Sequence, residues 1–311
     1  MRLTNDDFEL LATVAEYRVL TKSQAVRLLS RNERALRKRL GQLEEAGHLQ
    51  VGQTSAPRQG RPEHRIWLTE AGIDLLKEQT RLPAELPVDM VLPGALADSR
   101  HHQAQNDFRV ALAQLAKALP ELTVVFLTDK SPTLRSSAAG LVFAADWLDG
   151  RRTDEQSPRL VPDAAFVMKY PPRNKAFLFF LEVDMGTESR ASETRPRGDI
   201  RHKIREYQQY FRSERYKRYE EAWGCRLHGF RVLFVTSSAR RRDSIGGTVR
   251  ANPPSDFIWL ADQAGIAERG LAGMIWRRGG RTDIGETSIL GPEVSRQVLE
   301  QAARPGDQDS R

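Results

Sequence analysis

A chain of 311 residues, 40% hydrophobic and 29% charged, can bury two cores and is too apolar for a disordered chain. Its one cysteine, Cys225, excludes a disulfide framework and a cysteine-based metal cluster, and the longest apolar run, AFLFFLEV, is broken by Glu182 long before the roughly 20 residues of a membrane span. The net charge of +7 is concentrated: residues 190–250 hold 16 Lys/Arg against seven Asp/Glu, which suits a polyanion such as nucleic acid or, more plainly, a solvated helix face with basic loops.

The N-terminus, MRLTNDDFELL, lacks the apolar core of a signal peptide, so a cytoplasmic protein without membrane contact is expected. DDFELLATVAEY has helical periodicity, with Thr4 or Asn5 as N-cap, and KSQAVRLL predicts a second helix beginning at Thr21. Ser30 or Asn32 caps a third, ERALRKRLGQLEEAG, which ends at Gly47. Its apolar stripe is Leu36, Leu40 and Leu43, leaving Arg34, Arg37, Lys38 and Arg39 nearer the open side. HLQVGQ and HRIWLT read as alternating strands joined by TSAPRQGRPE, and TEAGIDLLKEQ as a fourth helix. Over residues 3–79 this order resembles a winged helix-turn-helix, with LRKRLGQLEEAGHL similar to a recognition helix passing into its wing. The resemblance implies duplex DNA as partner, with Arg34, Arg37 and Lys38 at base edges or phosphates and Arg58, Arg61 and Arg65 as wing contacts to phosphate. A protein-interaction or dimerisation module is the alternative for such a fold.

Residues 81–100 carry three prolines and read as a linker or extended crossover. HHQAQNDFRVALAQLAKALP predicts an amphipathic helix ended by Pro120, and LTVVFLTD a strand. Residues 129–160 stay open: SPTLRSSAAG is loop-like, LVFAADW is a strand or a short helix, and DGRRTDEQSPR is a surface loop. LVPDAAFVMK and AFLFFLEVDMGTES then read as two apolar strands. Asp163 opens the first, and Glu182 and Asp184 lie two apart on the second, hence on one side of a sheet. A basic loop, ESRASETRPRG, precedes the long helix DIRHKIREYQQYFRSERYKRYEEA, with Ile200, Ile204, Tyr207 and Phe211 as its packed stripe and Lys203 at the stripe's edge. The strand FRVLFVTS, a basic loop SARRRDSIGG and a short strand DFIWLAD complete the pattern. The last 30 residues read as poorly ordered apart from a short helix at PEVSRQVLEQA.

Three carboxylates at the ends of buried strands are costly unless a cation offsets them, and Mg²⁺ takes oxygen ligands of this kind in phosphodiester cleavage. Helix, three strands, helix, strand resembles the PD-(D/E)xK nuclease fold, with Pro162-Asp163 as the PD element and Glu182-Val183-Asp184 in place of (D/E)-x-K. Asp184 stands where that motif has its lysine, and Lys203 on the following helix is the substitute. The resemblance implies Asp163, Glu182 and Asp184 as ligands of Mg²⁺ and Lys203 as the fourth catalytic residue. Without metal, the same residues form a structural cluster paired with Lys203, Arg201 and Arg205.

The whole-chain pattern is more specific. HHQAQNDFRVAL, PDAAF, FLEVDMGTES and KIREYQQY, with Glu182-Val-Asp184-Met-Gly186-Thr187-Glu188 most telling, resemble the plasmid replication-relaxation family over residues 3 to about 240. The expected fold is therefore α/β (α+β): a winged helix over 1–80, a linker over 81–100, a restriction-endonuclease-like domain with a central mixed sheet over 101–265, and a partly disordered tail over 266–311. The resemblance implies a DNA-binding protein of plasmid or mobile-element replication or relaxation, acting with replication or mobilisation proteins; a winged helix reading a palindrome would act as a homodimer. Two alternatives stay open: a Mg²⁺-dependent nickase or endonuclease, and a transcriptional regulator whose C-terminal domain senses a ligand or partner.

Overall fold

The computed structural model describes residues 2–30, 32–53, 64–128, 146–147, 159–160, 162–186 and 199–291. The chain divides into two compact units, residues 1–114 with 127–143, and 115–126 with 144–311.

The first unit begins with α1 (Asn5–Tyr17), β1 (Leu20–Thr21), α2 (Lys22–Leu29) and α3 (Glu33–Glu45). These are followed by β2 (Leu49–Gln53), β3 (His64–Leu68) and α4 (Glu70–Glu78). Each helix starts where a short polar side chain can satisfy its orphan amides. Thr4 and Asp7 form a capping box on α1, Thr21 and Gln24 one on α2, Asn32 accepts from the Arg34 and Ala35 amides, and Thr69 from that of Gly72. The three strands pair antiparallel in the order β1-β3-β2, with Ile66 opposite both Leu20 and Val51. Leu10, Leu11, Val14, Leu36, Leu40, Leu43, Ile66 and Leu76 fill one core.

The proline-rich stretch expected as a linker belongs to this core. Leu82, Leu86, Met90 and Val91 are buried in it, and the backbone winds through short 3-10 turns at Val88–Met90 and Gly94–Asp98, each entered from a proline. Prolines stop helix and strand but leave the intervening side chains free to pack. α5 (Arg100–Ala118) runs from the first unit into the second. Near its start, Asn106 donates to the Val19 carbonyl at 2.7 Å and Arg109 lies over the Tyr17 ring at 4.0 Å.

The second unit is built on a six-stranded mixed sheet. Its members are β4 (Thr123–Leu127), β7 (Ala164–Tyr170), β8 (Lys175–Asp184), β9 (Phe230–Thr236), β10 (Ile258–Asp262) and β11 (Arg277–Arg278), in the order β11-β10-β9-β8-β7-β4. A separate two-stranded pair joins β5 (Asp146–Trp147) to β6 (Arg159–Leu160). β8, β9 and β10 run parallel, and β7 is antiparallel to β8. Their near-continuous apolar sequences are those of strands buried on both faces.

α6 (Ile200–Arg212) is capped by Asp199, which accepts from the His202 amide at 2.6 Å. It packs Ile204, Tyr207 and Tyr210 beside Phe180 and Phe230, whose rings meet edge-on at 5.0 Å. Each buried ring contributes roughly 2 kcal/mol. The long helix expected here breaks at Glu214 (φ 54°), passes through a turn at Arg215–Lys217 and resumes as α7 (Arg218–Trp223), which brings Tyr216 and Tyr219 into the core.

Two other expectations are corrected. SARRRDSIGG is not a loop but most of α8 (Ala239–Arg250), capped by Ser238. Much of the stretch over 266–311, expected as a partly disordered tail, is folded: the end of α9 (Gln263–Arg269) and β11 lie in it, and Leu271, Ile275, Trp276, Ile289 and Leu290 are buried. Most of LVFAADW and the basic loop after Gly186 lie outside the described residues, as does the expected helix at PEVSRQVLEQA.

Candidate functional site

On α3, burial of Leu36, Leu40 and Leu43 turns Arg34, Arg37 and Lys38 outward, where all three are exposed; Arg37 shares a 2.8 Å ion pair with Glu33 one turn back. Arg39 does not join them. It grips the buried Asp7 with two nitrogens and thereby ties α3 to α1. Burial alone would raise the Asp7 pKa, but hydrogen bonds from Arg39 and Thr4 and the arginine's charge outweigh it and hold the group at about 2.

Arg65, expected to reach phosphate from the wing, is only 5% exposed. Its guanidinium donates to the Ala97 carbonyl and, at 3.1 Å, to Gln103 Oε1, because residues 97–103 cover its side of β3. It is a structural tie rather than a surface cation. Arg58 and Arg61 lie outside the described residues.

In the second unit the sheet register brings the acidic residues to one end. Asp163 stands opposite Glu182 across β7 and β8, its N–H donating to the Leu181 carbonyl at 3.0 Å. Asp163 Oδ2 accepts from the Val183 N–H at 2.6 Å. Glu182 is 2% exposed and held on both oxygens: Lys203 Nζ donates to Oε2 at 2.9 Å and the Tyr207 hydroxyl to Oε1 at 2.6 Å. Burial pushes the Glu182 pKa up to about 7, against the pull of the Lys203 charge, and the Asp163 charge adds to the rise. The same burial and the neighbouring Glu182 push the Tyr207 phenol well above its ordinary range, so this tyrosine is a buried donor and not an exposed nucleophile.

Asp184 points to the same side as Glu182 but has a different partner. Arg241 of α8 clamps it bidentately, Nε to Oδ1 at 2.9 Å and Nη2 to Oδ2 at 2.8 Å, and the Gly186 N–H reaches Oδ1 at 2.7 Å. Two strands further, Asp262 lies in the same row through Thr236. It caps α9 and takes Arg242 at 2.9 Å. Each buried carboxylate at these strand ends thus has its own cation. The expected partners Arg201 and Arg205 are exposed instead.

The donor set does not fit a divalent cation as it stands. Both oxygens of Glu182 and of Asp184 are engaged by protein donors, one of them a bidentate arginine. Among the described residues no group of three or more His, Cys, Asp or Glu side chains could hold a metal ion. A hard cation needs several oxygens facing one open point. Asp163, Glu182 and Lys203 are brought together, whereas Asp184 is drawn away by an arginine that sequence reasoning assigned to a loop. The signal for Arg241 and Arg242 lay in the polar run Thr236-Ser237-Ser238 after an apolar strand, which marks a helix start.

The molecule is therefore an α/β protein of two units, one with a basic helix face and the other with a mixed sheet whose acidic strand ends are neutralised from α6 and α8. A family model described as replication-relaxation matches residues 11–223, and the chain belongs to that family. The match ends in α7, before the strand and helix that supply Arg241. Membership points to a role in replication or relaxation. No curated protein and no solved structure matches the chain. Among the described residues, no helix is long and apolar enough to cross a membrane.

Proposed function

We propose that this protein binds duplex DNA in the replication or relaxation of plasmid or mobile-element DNA. Its first unit acts as a winged helix-turn-helix, and its second is a nuclease-like scaffold for DNA contact or assembly with replication or mobilisation proteins. The observation that carries this reading is the α3 face, where Arg34, Arg37 and Lys38 are exposed on a helix whose other side is locked into the core. Such a helix can enter the major groove, and a homodimer would present two of them to a palindrome. The neutralised carboxylates support a scaffold rather than a cutting centre, since neither Glu182 nor Asp184 keeps an oxygen free for a cation.

The test combines binding and cleavage on the whole protein. Anisotropy titration of labelled duplex over a salt series should give steep salt dependence. Arg34→Ala, Arg37→Ala and Lys38→Ala together should flatten that slope by about 0.9 for each phosphate that is no longer neutralised. Supercoiled plasmid incubated with Mg²⁺, Mn²⁺ or EDTA should stay intact in all three. Metal-dependent nicking that disappears in Asp163→Ala and Asp184→Ala would replace this reading with a nickase.

A further inference from the structure

Phe179 of β8 stands opposite Arg231 of β9, and Phe177, two residues back, projects to the same side. Trp259 of β10 stands opposite Leu233, two residues after Arg231, and opposite Arg278 of β11. Phe177, Arg231, Trp259 and Arg278 therefore share one face of the sheet, the face away from Phe180 and the rings of α6. All four line one cavity at the end of β8 opposite the acidic residues. No Asp or Glu of the six strands lies on this face, since Glu182, Asp184 and Asp262 are on the other.

Arg231 is half-buried and has no carboxylate or hydrogen-bond partner among the described residues. Its guanidinium carbon lies 4.4 Å from the centre of the Trp259 ring and 5.1 Å from that of Phe177. A leucine or methionine would cover those rings without the desolvation cost of an unpaired charge. Burial, with the Arg278 charge nearby, pushes the guanidinium down to about 10, so it stays charged at neutral pH. Arg278 donates to Asp256 at 3.2 Å, in a pair whose side chains are 49% and 63% exposed. The other carboxylate of the cavity, Glu220, accepts from the Leu227 N–H at 2.7 Å. Two guanidiniums thus act on each other with one exposed carboxylate to offset them. The fork of one arginine fills a planar carboxylate, whereas the free oxygens of a phosphate can take donors from two.

We propose that Arg231 and Arg278 hold a phosphate group in this cavity, taken either as inorganic phosphate or as a phosphate of a nucleic-acid backbone. The site lies wholly in the second unit and stands independently of the duplex reading for the first.

Calorimetric titration of the whole protein, in an Arg34→Ala, Arg37→Ala, Lys38→Ala background that removes the α3 cations, tests it. The probes, in chloride buffer, are inorganic phosphate, acetate, and single-stranded and duplex DNA. Binding of inorganic phosphate assigns a small-anion site, and binding of DNA without inorganic phosphate assigns a backbone contact. In either case Arg231→Met, which still covers the rings, should weaken affinity at least about tenfold, and Arg278→Gln about threefold. Arg278 is exposed, so its variant decides the question should Arg231→Met fail to fold. Binding by neither phosphate nor DNA overturns the proposal, as does acetate binding as tightly as phosphate, or an affinity unchanged in Arg231→Met or in Arg278→Gln.

Discussion

Glu182 is a carboxyl group that the fold keeps partly protonated near neutral pH. Its value of about 7 lies above its ordinary 4.5, so the folded chain holds the proton more tightly than the unfolded chain does. The resulting stability is complete below pH 4.5 and is lost as pH rises through 7, on the order of 3 kcal/mol at 1.36 kcal/mol per pH unit. Glu182→Gln should therefore flatten the dependence of stability on pH across that window, measured by urea unfolding at several pH values. Lys203→Met leaves the ionised glutamate buried without its cation and should cost roughly 3–5 kcal/mol above pH 7, and less at pH 5, where the carboxyl is neutral. The spacing of Glu182 and Asp184 was enough to place both on one side of a strand. Which cation each would take was not legible, because Arg241 is 57 positions from Asp184 and meets it only through the register of β8 with β9.

At the scale of elements, helices with a cap and a clear apolar stripe were legible, and those without were not. The four helices α1–α4 and the two longer strands of the first unit follow directly from caps and periodicity. α8 was hidden by three arginines and the Gly246-Gly247 pair, all poor signals of an apolar stripe. Packed against this helix is Gly280, at φ 68°, so close that a Cβ on it would lie 2.1 Å from the Gly246 carbonyl oxygen. Gly280→Ala must both enter a left-handed backbone conformation and push that carbonyl aside, so a loss of at least roughly 1–3 kcal/mol is expected. Thermal unfolding would show it. Arg241→Ala, which strands the buried Asp184, should destabilise by roughly 3–5 kcal/mol, and Asp184→Asn added to it should recover part of that loss.

For the molecule as a whole, the charge surplus over residues 190–250 suggested a basic surface, but part of it is spent internally. Lys203, Arg241 and Arg242 neutralise Glu182, Asp184 and Asp262, and Arg231 is set among aromatic rings. DNA affinity should accordingly respond more to the three α3 cations than to Arg241 or Arg242. Comparing the salt slopes of the α3 triple variant and of Arg242→Gln checks this, with little change expected in the second. What the sequence by itself determined is local and periodic: the capped helices of the first unit, the apolar strands of the second, the acidic pattern on β8 and the family to which the chain belongs. Only the tertiary structure decided that Arg65 is buried, that residues 82–91 are core, that Asp184 faces an arginine instead of an open cation site, and that Arg231 lines a cavity. Caps and periodicity act between near neighbours, whereas burial and charge pairing depend on strand register and on which segment covers which face, and both arise from contacts between residues far apart in the chain.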